Sequence, residues 1–375
     1  MVEFKDLTLR EGSQVPGLEI PETTGKRVLD ELATLGVGRV ELSFPRADPR
    51  VSWYRYAEEL GLRTAALARA TAGDVDAALG VSPEEIEVII PGSDVQLEHA
   101  IGKSREEAQE LLAASVERAL DGGVDAGVTL MDAIRGENDY LAASARAAVD
   151  RGAKHVTIAD TTGAGTPQAV RETVGAVASE IGSEAGIAIH THDDMDVASA
   201  NAAAGVLAGA RSVDATVGEI GERAGNAPLE AVAVLLAEQE VEPGLELESL
   251  VPACRRVHEH LGVEIPPDKP VIGELAYRHE SGLHTAAILR EPSTYEPFDP
   301  ADYGGKRQLL FGRGTGRGAA RALLAEIGKT NESGEPGEEP TDDAIATALA
   351  AIEEAAAEKG EPLSEEEARR LIRSR

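Results

Sequence analysis

Short runs rich in Val, Ile and Leu recur along the first two thirds of the chain, separated by amphipathic stretches rich in Ala, Leu and Glu. The runs predict strands near 2–8, 37–43, 61–68, 84–91, 125–132, 155–161, 186–192 and 212–218. Between the fourth and fifth, SREEAQELLAASVERALDGG carries apolar residues at helical spacing and closes on a Gly pair, as a helix C-terminus should. Eight strand–helix units in about 235 residues match a parallel (β/α)8 TIM barrel in number and length. The runner-up is an open doubly wound sheet. Its dinucleotide-binding version is disfavoured, because no G-x-G-x-x-G follows the first strand.

Beyond about residue 240 the pattern becomes helical. LESLVPACRRVHEHLGV reads as one helix and the tail from Thr341 to Arg373 supplies others, with the polar stretch GKTNESGEPGEEPTD as a linker or loop between them. GRGTGRGAA, Gly312 to Ala320, is Gly-rich but lies outside any strand–helix unit and reads as a loop entering a helix. The expected organisation is a catalytic α/β barrel over 1–240 and a mostly helical region over 241–375.

Composition narrows the class. Aromatic residues make up only 3%, so the core must be packed from Val, Leu, Ile and Ala. No apolar run approaches bilayer length, and the charged start MVEFKDLTLREG reads as a strand and not as a signal peptide. A single cysteine, Cys254, excludes an internal disulfide and fits a reducing cytoplasm. The formal charge is −31, from 67 acids and 36 bases, which argues against nucleic acid or an anionic membrane as partner. The acids are spread along the chain, as on a globally acidic surface suited to a salty cytoplasm.

A barrel enzyme works at the C-terminal ends of its strands, so the polar residues there are the candidates for chemistry. They are Arg10, Glu11 and Gln14 after the first strand and Asp132 and Arg135 after the fifth. Asp160, Thr161 and Thr162 follow the sixth, His190 and His192 end the seventh, and Asn226 closes GEIGERAGN after the eighth. Residues i and i+2 on a strand share a face, so His190 and His192 project together into the barrel mouth. The same spacing at His258 and His260 falls on a predicted helix, where the two side chains diverge by about 200°. Two imidazoles with Glu11, and with Asn226 able to add an amide oxygen, make a mixed N/O site suited to Zn, Mn, Co or Mg. A 2-oxoacid chelating through its keto and carboxylate oxygens would fill the open positions, with the ion as Lewis acid and Arg10 beside the developing charge.

The motifs DLTLREGSQVPG, ADTTGAGTP, HTHDDMDVASAN, GERAGN and HESGLH…STYEPFDP together resemble, in order and spacing, the homocitrate, 2-isopropylmalate and citramalate synthases, barrel acyltransferases related to HMG-CoA lyase. The resemblance runs from residue 4 to about 325. It implies a metal-dependent homodimer that condenses acetyl-CoA with a 2-oxoacid and hydrolyses the thioester. By the same resemblance Glu11, His190 and His192 are metal ligands, and Asn226 stands where a fourth can join. Arg10, Gln14 and Thr161 match oxoacid contacts, while His284 and Tyr295 match the pair that helps deprotonate acetyl-CoA in the partner's barrel mouth.

Strand five departs from the family pattern. Where the family reads close to RFSSEDAFR, this chain reads GVTLMDAIR, so Met131 replaces a carboxylate and Gly127 an arginine. Gln96 stands where a histidine is common, and Met195–Asp196 replaces an aromatic–Gly step. These changes leave two alternatives open: a metal-dependent aldol cleavage like that of HMG-CoA lyase, and a ligand-binding homologue without catalysis.

Overall fold

The computed structural model describes residues 1–329 and 339–374. The chain forms two compact units, Met1–Ile265 and Pro266–Arg375.

The first unit is a closed barrel of eight parallel strands in chain order. They are β1 (Glu3–Asp6), β2 (Arg39–Ser43), β3 (Arg63–Arg69), β4 (Glu85–Pro91), β5 (Asp125–Met131), β6 (His155–Asp160), β7 (Gly186–Thr191) and β8 (Ser212–Ala215). Each falls within an expected run except β3, which extends one residue past it to Arg69, and β1 closes the ring on β8 with Phe4 opposite Val213. Outward-facing Ile86, Val88, Ala126, Val128, Val156 and Ile158 are fully buried beneath the surrounding helices. The helix Arg105–Asp121 begins with a reciprocal capping box between Ser104 and Glu107, and the helix Pro167–Ile181 is capped by Thr166 with proline in its first turn.

Two differences from the sequence expectation have local causes. The first strand stops at Asp6, because the Asp6 carboxylate accepts from the Thr8 amide at 2.9 Å and the Thr8 hydroxyl at 2.7 Å. These bonds turn the chain into a short helix, Thr8–Gly12, which carries Arg10 and Glu11. The first unit also runs beyond residue 240, to Ile265. Its last helix, Leu250–Leu261, buries Val251, Cys254 and Val257 and packs on the helix Glu22–Thr34, with an Arg256–Glu31 pair at 2.8 Å. His258 and His260 lie on that helix, and their ring nitrogens go to different partners, the Val263 carbonyl and Glu31.

The second unit holds helices Gly282–Ile288, Arg317–Lys329, Asp342–Lys359 and Glu365–Arg373, and a small sheet the sequence did not reveal. Its strands are β9 (Arg278–His279), β10 (Gln308–Phe311) and β11 (Leu363–Ser364), with β10 in the centre. Ile288, Leu309, Phe311, Leu323, Ile352 and Leu363 form the core of this unit. The Gly-rich stretch from Gly312 does lead into a helix, at Arg317, while most of the expected polar linker (330–338) lies outside the described residues. No helix among the described residues is long and apolar enough to cross a membrane.

Candidate active site

The C-terminal mouth of the barrel encloses a cavity of about 170 Å³. Arg10, Glu11, Gln14, Thr161, His190 and His192 all line it, as the strand-end reading expects. His190 is the penultimate residue of β7, in register with Asp214 of β8, and His192 follows just beyond the strand, bridged to Asn226. The two rings are edge-on, 5.0 Å apart, with their Nε2 atoms 3.2 Å from each other. Glu11 Oε1 lies 3.8 Å from His190 Nε2, and the Asn226 amide lies 3.4 Å from the same nitrogen. Glu11, His192 and Asn226 are at most 4% exposed and His190 is 7% exposed.

These four side chains fit a cation. One donor atom from each of Glu11, His190 and His192 falls within 4.8 Å of the others. Glu11 Oε2 and Asn226 Oδ1 are buried without hydrogen-bond partners, an arrangement that costs free energy unless something charged or polar completes it. Two imidazole nitrogens facing each other at this distance likewise need a proton or a metal beside them. Burial, the His190 ring and the guanidinium groups of Arg223 and Arg10 depress His192 to about 2, which holds it neutral, the form a metal requires. Behind His190, Asp214 Oδ2 stands 3.5 Å from Nδ1, so the carboxylate orients the ring with Nε2 toward the site. Asp214 lies mid-strand, where the strand ends do not reveal it, although the alternation in SVDA sets it on the face opposite to Val213 and Ala215.

The Arg10 guanidinium bridges two carboxylates: it donates to Glu11 Oε1 and, at 2.6 Å, to Glu41 Oε1. Burial opposes its charge, but Glu11 and Glu41 outweigh that and hold it firmly protonated. Thr161 Oγ1 accepts the Asp132 amide at 2.8 Å, which leaves the hydroxyl proton free to point at a ligand. Arg223 fixes the Thr161 carbonyl at 2.7 Å and pairs with Asp194 at 2.9 Å. Asp132 itself does not enter the cavity: its carboxylate accepts from Ser93 and Arg135, and Met131 lines the wall in its place.

Below the cavity the barrel interior is charged, unlike the branched aliphatic filling common in such barrels. Lys5 Nζ lies 3.2 Å from Glu87, 3.2 Å from Asp214 and 3.6 Å from Glu41, and all four residues are at most 3% exposed. Burial would strip the Lys5 proton, yet Asp214, Glu87 and Glu41 raise its pKa well above the ordinary range. His155 Nε2 meets Glu87 at 2.8 Å, and Arg39 joins Glu85 at 3.0 Å to Glu3 at 3.0 Å.

His284 and Tyr295 belong to the second unit, so they are described apart from the barrel. Their rings lie 4.0 Å apart with planes tilted by 31°, and Tyr295 is 39% exposed.

The HMGL-like family model matches residues 1–257, and the homocitrate synthase post-HMGL domain-like model matches 271–360. The chain is 40% identical over 327 residues to the homocitrate synthase AksA of Methanopyrus kandleri, covering 86% of this chain and 82% of that protein. It is 37% identical to a probable 2-isopropylmalate synthase of the same organism, covering 87% of this chain but 66% of the longer relative. Among solved structures, the HMG-CoA lyase of Bacillus subtilis superposes with a TM-score of 0.63 at 21% identity, over 71% of this chain and 95% of that one, which speaks for the fold alone.

Proposed function

The chain belongs to the HMGL-like family, and on that premise we propose that it condenses acetyl-CoA with a 2-oxoacid and releases CoA and a 2-hydroxy acid bearing an added carboxymethyl group. The observation that carries this reading is the convergence of Glu11, His190 and His192 at the mouth of the barrel beside a protonated Arg10. The homocitrate and 2-isopropylmalate synthases among the relatives support the same chemistry.

Glu11, His190 and His192, with Asn226, would hold a divalent ion of the Mg, Mn, Zn or Co kind. Bound there, it would polarise the keto group of the oxoacid as a Lewis acid. The free hydroxyl of Thr161 donates to the oxoacid carboxylate, with Gln14 and Arg10 lining the same cavity. The His284–Tyr295 pair takes a proton from the methyl group of acetyl-CoA. The resulting enolate carbon attacks the keto carbon, and Arg10 stabilises the alkoxide that forms. Water then cleaves the thioester, and CoA leaves as the free thiol.

We place this chemistry in a homodimer in which His284 and Tyr295 serve the partner's barrel mouth. Exposed Leu283 and half-exposed Tyr295 beside His284 present an apolar surface that a second copy can cover.

Free CoA, read with a thiol reagent, should accumulate when acetyl-CoA, a divalent metal and an accepted 2-oxoacid are supplied together. No release across a panel of mono- and dicarboxylic 2-oxoacids would overturn the reading.

A further inference from the structure

Resting on that reading, we infer that the oxoacid accepted here is a monocarboxylate with a short saturated hydrocarbon side chain, and that oxodicarboxylates are rejected. Among the described residues that line the cavity, Arg10 is the one permanent cation, and it already bridges Glu11 and Glu41. The oxoacid's own carboxylate and the alkoxide fall to Arg10, Gln14 and Thr161, so a second carboxylate needs a second set of donors.

The rest of the cavity offers none. Leu67, Ile89, Met131 and Ala159 are apolar, from four neighbouring strands. The hydroxyl of Thr129, the one polar group among them, is turned away, donating to Glu87 Oε1 at 2.6 Å. The floor is worse for an anion, because Glu41 and Asp214 line it. Lys5 is not available as a donor to substrate: it is 1% exposed and shared among three carboxylates.

Position 127, on the inward face of β5, cannot carry a cation either. A Cβ there would come within 2.3 Å of the His155 ring and 2.8 Å of Glu87 Oε2, so only glycine fits while His155 holds that space. His155 in turn is held by Glu87 at 2.8 Å, with Glu85 at 3.5 Å, beneath the cavity and out of its lining. A distal carboxylate would therefore be buried against hydrocarbon and two like charges. A methyl, ethyl or isopropyl group would meet surface of its own kind.

The test is kcat/KM by CoA release for pyruvate, 2-oxobutyrate and 2-oxoisovalerate against 2-oxoglutarate and 2-oxoadipate, at saturating acetyl-CoA. The best monocarboxylate should exceed either dicarboxylate by at least about 100-fold, the scale set by an unpaired buried charge. A dicarboxylate within tenfold of the best monocarboxylate, or above it, overturns the inference and leaves the proposed reaction standing. If no oxoacid releases CoA, the proposed reaction falls, and thermal stabilisation of the metal-loaded protein by the same five acids decides the inference. Stabilisation by a monocarboxylate and not by 2-oxoglutarate supports it; any other pattern overturns it. Ile89→Ala should also shift the 2-oxoisovalerate to pyruvate ratio at least about fivefold upward, on the scale of a removed methylene. That ratio is independent of how much variant folds, and an unchanged ratio would remove Ile89 from the side-chain wall.

Discussion

A Cβ added to Gly127 would lie 2.3 Å from Cε1 of His155, across the register pair that joins β5 to β6. The glycine and the histidine are thus one feature: the ring sits where any side chain at 127 would begin. Gly127→Ala should destabilise the protein by about 1–3 kcal/mol, as overpacking of a close-packed interior does. The penalty should shrink in a His155→Ala background, because the two sites share one volume. Urea denaturation of the four proteins in this cycle checks it, and equal penalties in both backgrounds would show that sterics at His155 are not the cause.

The protonation of His155 gives a second test. Burial disfavours its cation, but Glu87 and Glu85 outweigh burial and raise its pKa above the ordinary 6.5. A group with a raised folded pKa contributes stability that is complete below its unfolded value and lost as pH rises through the folded one. Wild type should therefore lose melting temperature relative to His155→Gln as pH increases from 6 to 9. A difference that stays flat or moves the other way contradicts a protonated His155.

Much of this was readable in the chain, and the failures have physical reasons. All eight barrel strands were visible because Val, Ile, Leu and Ala recur on their outward faces between the helical stretches. The histidine pair was visible because i and i+2 on a strand share a face. The charged interior was present in the alternation of Glu85 and Glu87 with Ile86 and Val88, but inward parity was searched only at strand ends. Glu11 was expected at a strand end and sits on a helical turn, because Asp6 captures Thr8 and ends β1 early. The small sheet of the second unit was missed because strands of two to four residues carry no measurable period. Nothing in the spacing of His284 and Tyr295 announces their contact; the family resemblance was the signal for it.

The proposed metal site can be tested through the residues that would hold the ion and through what stands behind them. His190→Ala, His192→Ala and Glu11→Gln should each abolish stoichiometric metal binding by mass spectrometry and lower activity at least about 1,000-fold. Asp214→Asn should be milder, weakening metal affinity about 10–100-fold, since it removes only the carboxylate that orients His190. If Asp214→Asn binds metal as wild type does, its contact with His190 is incidental.

Thr161 should act through its hydroxyl proton, because its oxygen already accepts the Asp132 amide. Thr161→Val should raise KM for the oxoacid about 10–100-fold with acetyl-CoA binding unchanged, and Thr161→Ser should restore most of it. A valine variant with normal oxoacid KM would mean that the hydroxyl serves only the strand-five turn.

His284 and Tyr295 stack within one unit at 4.0 Å, while the proposed ligands lie in the other unit of the same chain. Tyr295→Phe and His284→Ala should lower kcat about 100–10,000-fold, the span of a lost general acid–base, with oxoacid and metal affinity unchanged. If the pair serves the partner's barrel, His284→Ala and His190→Ala chains should complement each other when mixed and allowed to exchange subunits. Each mixed dimer would hold one intact site, built from the His284 of one chain and the His190 of the other. An equal mixture would then recover about one quarter of wild-type activity, because half the dimers are mixed and each carries one of two sites. Activity that stays at the level of the separate variants, with exchange verified by differential labelling, would place the pair at its own chain's barrel and remove the ground for the crossed arrangement.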